Sequence, residues 1–159
     1  MMKTEVILSA LIVLAILAES ESQKFGQLCS NNRFNKIRGW DKFGQGRHGA
    51  PRSGGRKHSG VDVICSDGAA VYAPFDVKIN SRSIPYSDPK KKAINDGLNL
   101  SGAGLCFNLW YVKPVKYSGV VKKGQRLGTM MPMQTVYPGI TSHLHLQLCN
   151  KYDPTRYLR

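Results

Sequence analysis

Nowhere beyond residue 20 does the chain sustain a helical repeat. Its apolar residues fall instead into short runs at 61–65, 71–74, 77–80, 98–100, 106–112 and 144–149, most of them rich in β-branched or aromatic side chains. Turn chemistry separates the runs. Ser66-Asp67-Gly68, Asn95-Asp96-Gly97, Ser101-Gly102-Ala103-Gly104 and Lys123-Gly124-Gln125 all supply residues that tolerate positive φ. This punctuation predicts an all-β or mainly β fold, compact and antiparallel, with a Gly- and Arg-rich loop over 31–55. At 159 residues and 42% hydrophobic content, one packed domain over 21–159 is expected, and a disordered polycation is excluded.

Residues 1–20 read as a secretory signal peptide: Lys3 near the start, an apolar block over 6–18, then small and polar residues with cleavage after Ser20. The block is shorter than the roughly 20 apolar residues of a membrane span, so secretion without membrane insertion is expected. The formal net charge is +13, and loss of Lys3, Glu5 and Glu19 with the leader raises it further. Such a surplus attracts polyanions. The cations are scattered, with short clusters at Arg52/Arg56/Lys57, at 90–92 and at Lys122/Lys123, and no helix-turn-helix or base-stacking signature accompanies them. Nucleic acid is therefore not expected as a partner. Glycosaminoglycan is the extracellular candidate, against the plainer reading of a basic surface that keeps the protein soluble.

Cys29, Cys65, Cys106 and Cys149 are even in number and widely spaced, which in an oxidising compartment means two disulfides. No C-x-x-C spacing favours zinc held by thiolates. Four cysteines allow three pairings, and spacing does not choose among them.

Three of the four histidines lie in two compact motifs, His58-Ser59-Gly60-Val61-Asp62 and His143-Leu144-His145. Side chains of an extended segment alternate faces, so residues 58, 60 and 62 share one face and Gly60 leaves space between the His and the Asp. His143 and His145 likewise point the same way. If the two segments are neighbours, imidazoles and a carboxylate converge as a nitrogen and oxygen ligand set with an open position, the pattern of catalytic zinc. A lone strand histidine is usually just a half-buried polar residue; the pairing of two same-face motifs is what favours metal. No glutamate follows Glu21, which excludes a zinc protease of the H-E-x-x-H type, and no G-x-S-x-G elbow supports serine chemistry. A base would have to be His143 or an Asp.

H-x-G-x-D followed much later by H-x-H resembles the lysostaphin and LytM type of zinc endopeptidases. Over roughly 29–158, the stretches HSGVDVIC, VYAPF, NDGLNLSGAGLCF, YVKPVKYSG, KKGQRLGT and VYPGITSHLHLQLC narrow this to a resemblance to the leukocyte cell-derived chemotaxin-2 family and its avian relative, myeloid protein 1. The resemblance implies zinc ligation by His58, Asp62 and His145, with His143 at the general-base position. It also implies the pairings Cys29–Cys65 and Cys106–Cys149. The second suits neighbouring strands; the first fastens the N-terminal loop beside the metal motif.

Two departures stand out. A further short-range disulfide of the chemotaxin-2 family falls here on Trp40 and Gln45, which predicts a looser loop. Active peptidases carry another His in a Y-x-H stretch that helps hold the oxyanion, whereas this chain reads Trp110-Tyr111-Val112-Lys113-Pro114. Losing such a donor typically costs about 100- to 1000-fold in turnover, unless Lys113 or Tyr111 replaces it. The resemblance thus implies a secreted, zinc-stabilised chemotactic factor for leukocytes that acts through cell-surface receptors and is not an enzyme. The alternative is an active zinc endopeptidase that cuts glycine-rich bacterial cell-wall peptides. Asn99-Leu100-Ser101 is a glycosylation sequon that carries sugar if exposed and not if buried in a strand. Met130, Met131 and Met133 read as core and loop filling.

Overall fold

The computed structural model describes residues 7, 9–13 and 23–158. The predicted cleavage site after Ser20 lies outside the described residues. Within the leader, residues 9–13 are helical, and among the described residues no helix is long and apolar enough to cross a membrane.

Eleven strands follow: β1 Trp40–Asp41, β2 Gly44–Gln45, β3 Val61–Ile64, β4 Ala70–Tyr72, β5 Val77–Arg82, β6 Gly97–Gly102, β7 Leu105–Trp110, β8 Val112–Pro114, β9 Gly119–Val121, β10 Arg126–Met130 and β11 His143–Leu148. One four-residue helix, α1, spans Met133–Val136, and three short 3-10 turns complete the elements among residues 23–158. The strands form an antiparallel sheet of order β3-β11-β7-β6-β5-β9, a second antiparallel sheet of order β4-β10-β8, and the ribbon β1-β2. The mainly antiparallel β fold and both expected disulfides are found.

Period-two alternation sets the layers. Val61 and Val63 of β3, Leu98 and Leu100 of β6, Phe107 and Leu109 of β7, and Leu144 and Leu146 of β11 are all buried on one face of the large sheet. They share a single apolar cluster with Val71, Val112, Leu127 and Met130 of the smaller sheet. Each such side chain stabilises the fold by roughly 1.5–3 kcal/mol relative to exposure. Met133 is buried in the same cluster, as core filling requires. Asp62, His143 and His145 alternate with these residues and so emerge on the opposite face.

The run 106–112, which reads as one strand in sequence, is broken in two. Tyr111 has φ +70°, unusual for a bulky residue, and its amide donates to the Asp96 carbonyl at 2.9 Å. The kink carries the chain from β7 in the large sheet to β8 in the small one.

Cys29–Cys65 ties the N-terminal segment to the end of β3, and Cys106–Cys149 joins β7 to the residue after β11, with Cα separations of 5.6 and 5.4 Å. Trp40 and Gln45 face each other across the β1-β2 ribbon. No cysteines bridge that ribbon; Arg38 holds it instead, donating to Asp41 at 2.8 Å and to the Gly44 carbonyl at 3.0 Å.

Candidate metal centre

β3 and β11 are hydrogen-bonded neighbours, with Asp62 opposite His145. His58, just ahead of β3, turns its ring onto the same point. Three atoms meet there. His58 Nε2 lies 3.0 Å from His145 Nδ1, and each lies 3.1 Å from Asp62 Oδ1. All three residues are buried. A tetrahedral ion with bonds of about 2.0–2.1 Å has ligand–ligand edges of about 3.3 Å, so this triangle is the right size.

The hydrogen bonds show which lone pairs are free. His58 Nδ1 donates to the Arg47 carbonyl at 2.9 Å, which leaves Nε2 of the neutral ring bare. His145 Nε2 donates to Gln147 Oε1 at 3.1 Å, which leaves Nδ1 bare. In the neutral form that binds a metal, each ring turns a nitrogen lone pair toward the same carboxylate oxygen. That arrangement is repulsive without a cation, and outer partners of this kind orient metal-binding histidines. The donor set thus fits a divalent ion such as zinc.

The second oxygen of Asp62 is neutralised from behind. Arg38, only 3% exposed, donates Nε and Nη2 to Oδ2 at 3.2 and 3.0 Å, and Arg52 lies 3.6 Å away. With no metal the imidazoles act on Asp62 as cations and donors instead: burial by itself would raise its pKa, but charge interaction with His143 and hydrogen bonds from His145 and His58 hold it well below the usual carboxylate range. His143 Nδ1 donates to the Thr141 carbonyl at 2.7 Å, so its bare Nε2 points at Asp62 Oδ2, 3.5 Å away. Burial lowers the His143 pKa against the pull of Asp62 and favours its neutral, basic form.

Two glycines make the convergence possible. A Cβ on Gly60 would stand 2.3 Å from the Leu146 carbonyl oxygen and 2.7 Å from His145 Nε2, so the absent side chain is the room the imidazole occupies. A Cβ on Gly46 would collide with both Arg38 and Asp62.

All four residues expected at the site come together. The remaining histidine, His48, faces the Lys151 carbonyl instead, at 3.0 Å. Lys113 does not enter the site: it is 64% exposed and reaches Asp96 at 3.6 Å. Tyr111 does line it, with its ring edge-on to His143 and its hydroxyl 2.8 Å from that of Tyr86. Trp110, the Cα partner of His145, stacks on that imidazole at 5.0 Å. The stretch where a histidine was missed thus contributes two rings and no imidazole. Sequence reasoning missed Arg38 and Asp41; an arginine in a Gly- and Arg-rich loop carries no mark that it will be buried against a carboxylate 24 positions away. Asn99 lies mid-β6, half-buried, with its amide nitrogen donating to Asn108 at 3.0 Å.

No protein-family model matches the chain. It is 46% identical over 158 residues to leukocyte cell-derived chemotaxin-2 of Mus musculus, covering 99% of this chain and 100% of that protein. The chain belongs to the leukocyte cell-derived chemotaxin-2 family. Myeloid protein 1 of Gallus gallus is 47% identical over 133 residues, 82% of this chain and 40% of that longer one. Among solved structures, Csd3 of Helicobacter pylori in its hexagonal crystal aligns with a TM-score of 0.53 at 16% identity, over 86% of this chain and 33% of that one. This chemotaxin-2 family member therefore shares the fold of Csd3, a likeness of fold alone.

Proposed function

We propose that the chain, after removal of a signal peptide over 1–20, is a secreted one-domain signalling protein of residues 21–159. It binds zinc and acts as a chemotactic factor for leukocytes through cell-surface receptors, without useful peptidase activity. His58, Asp62 and His145 would hold the ion, with His143 a vestige of the general base. A bound zinc supplies Lewis acidity and a cross-link between the 58–62 segment and β11.

The observation that carries this reading is the asymmetry of the site. The ligand triangle and its outer hydrogen bonds are complete, while the stretch that should offer an oxyanion donor presents a tyrosine already bonded to Tyr86 and a lysine turned to Asp96. Binding is therefore supported and turnover is not. The test has three parts: metal analysis of the secreted protein, a cleavage assay on pentaglycine peptides, and a neutrophil migration assay. One zinc per chain, no cleavage and directed migration are expected. Absence of zinc or of migration would overturn the reading.

The buried, bare Nε2 of His143 favours the second reading, an active endopeptidase for glycine-rich cell-wall peptides. Cleavage that disappears in His143→Ala while zinc stays bound would establish it. Glycosaminoglycan binding through the basic surface is compatible with either reading and would show as salt-sensitive retention on heparin.

A further inference from the structure

The ligand triangle lies at an open cleft of about 320 Å³ whose other lining residues have a chemistry of their own. Arg52 and Arg56, from the loop around Ser53–Gly55, and Lys91, from the 3-10 turn Pro89–Ile94, bring three cations to it. Phe43, Tyr86 and Tyr137 supply rings, and Lys91 Nζ stands 4.3 Å above the Tyr86 ring. Asp62 is the single acidic residue in the lining, and Arg38 already neutralises it. Arg56 donates only to Ser53. The cleft is thus a concave, ring-walled site with uncompensated positive charge, where field lines concentrate and an anionic ligand gains most.

We propose that this cleft is the docking site for a short acidic segment of a partner protein, with aspartate or glutamate side chains on Arg52, Arg56 and Lys91 and a flanking aromatic residue against the tyrosine rings. The planar forks of two arginines match carboxylates. The volume lies near the lower end of small-ligand sites, about 300–1,000 Å³, which suits a few residues of peptide better than a run of sulfated polysaccharide. The inference gives a chemistry to the receptor contact proposed above and rests on that reading only for the partner's biological identity. It uses none of the metal ligands.

The test is fluorescence anisotropy with a labelled heptapeptide of aspartate and glutamate around one tyrosine, against its asparagine and glutamine counterpart, on zinc-loaded protein. We expect at least tenfold weaker binding of the amide peptide. Arg56→Glu and Lys91→Glu should each weaken binding of the acidic peptide at least fivefold while keeping the wild-type melting curve. Lys122→Glu, which changes the net charge equally but lies outside the cleft, should stay within twofold. An equal loss in Lys122→Glu would reduce the effect to net charge and overturn the site. A heparin hexasaccharide that binds more tightly than the peptide and is weakened by the same two variants would overturn it in favour of a glycan. Because no cell or migration assay enters, failure here is separate from failure of the chemotactic reading.

Discussion

Two aspartates, Asp62 and Asp96, are each 2% exposed, yet their surroundings differ in kind. Everything that meets Asp96 is a donor: the Gly97 amide at 2.8 Å, the Tyr117 hydroxyl at 2.6 Å, Arg82 at 2.9 Å and Lys113 at 3.6 Å. Its demand is closed by the protein itself. Asp62 is closed on one oxygen only. Its Oδ1 faces His58 Nε2 and His145 Nδ1, while the opposite nitrogen of each ring carries the N–H that bonds the Arg47 carbonyl or Gln147 Oε1. Buried charge that is satisfied is architecture, and buried lone pairs that are not are a receptacle.

That contrast can be broken in graded ways. The largest effect is expected from chelation: stripping the proposed zinc would leave the Asp62 cluster mutually repelling, and the melting temperature should fall on the order of 10 °C by calorimetry. A melt unchanged in protein shown to be metal-free would erase the distinction between the two aspartates. Next comes Gly60→Ala, whose methyl group claims the space of the His145 ring; zinc affinity by competition with a chromogenic chelator should drop at least tenfold. Asp96→Ala should cost about 1–3 kcal/mol in urea unfolding, since it orphans several donors, while one zinc per chain is retained.

The mildest test uses pH. Burial would raise the Asp96 pKa, but the Tyr117 hydroxyl, the Gly97 amide and Arg82 bring it below the ordinary value. The unfolded chain then binds the proton first as pH falls, so the stabilisation is complete above about pH 5 and is lost below about pH 4. Urea unfolding of Asp96→Asn should therefore show a flatter acid limb than wild type.

The sequence exposes these two regions unequally. Strands β3, β7 and β11 were legible because β-branched and leucine residues alternate with polar ones there, and that same alternation placed His58, Asp62, His143 and His145 on one face. β1, β2, β9 and β10 were not, being short or rich in glycine and charge. β9 and β10 moreover pair with distant partners, such as Val77 for Val121, whereas β1 and β2 pair only with each other. The Asp96 cluster had no signature either. It joins residues 82, 96, 113 and 117 through a tertiary kink at Tyr111, a residue type that gives no local warning of a left-handed backbone. Arg38 was hidden for the same reason. Which cysteines pair was not fixed by spacing and required the family resemblance.

β11 is paired on both sides, by β3 and by β7. A slip of one residue in either ladder would swing His143 and His145 into the leucine core and bring Leu144 to the surface in their place. Drift in alignment therefore offers no gradual path away from this cluster: a descendant chain can discard it only by replacing its members outright, and a homologue that keeps the leucines in step keeps the geometry whether or not it still has a use for the ion.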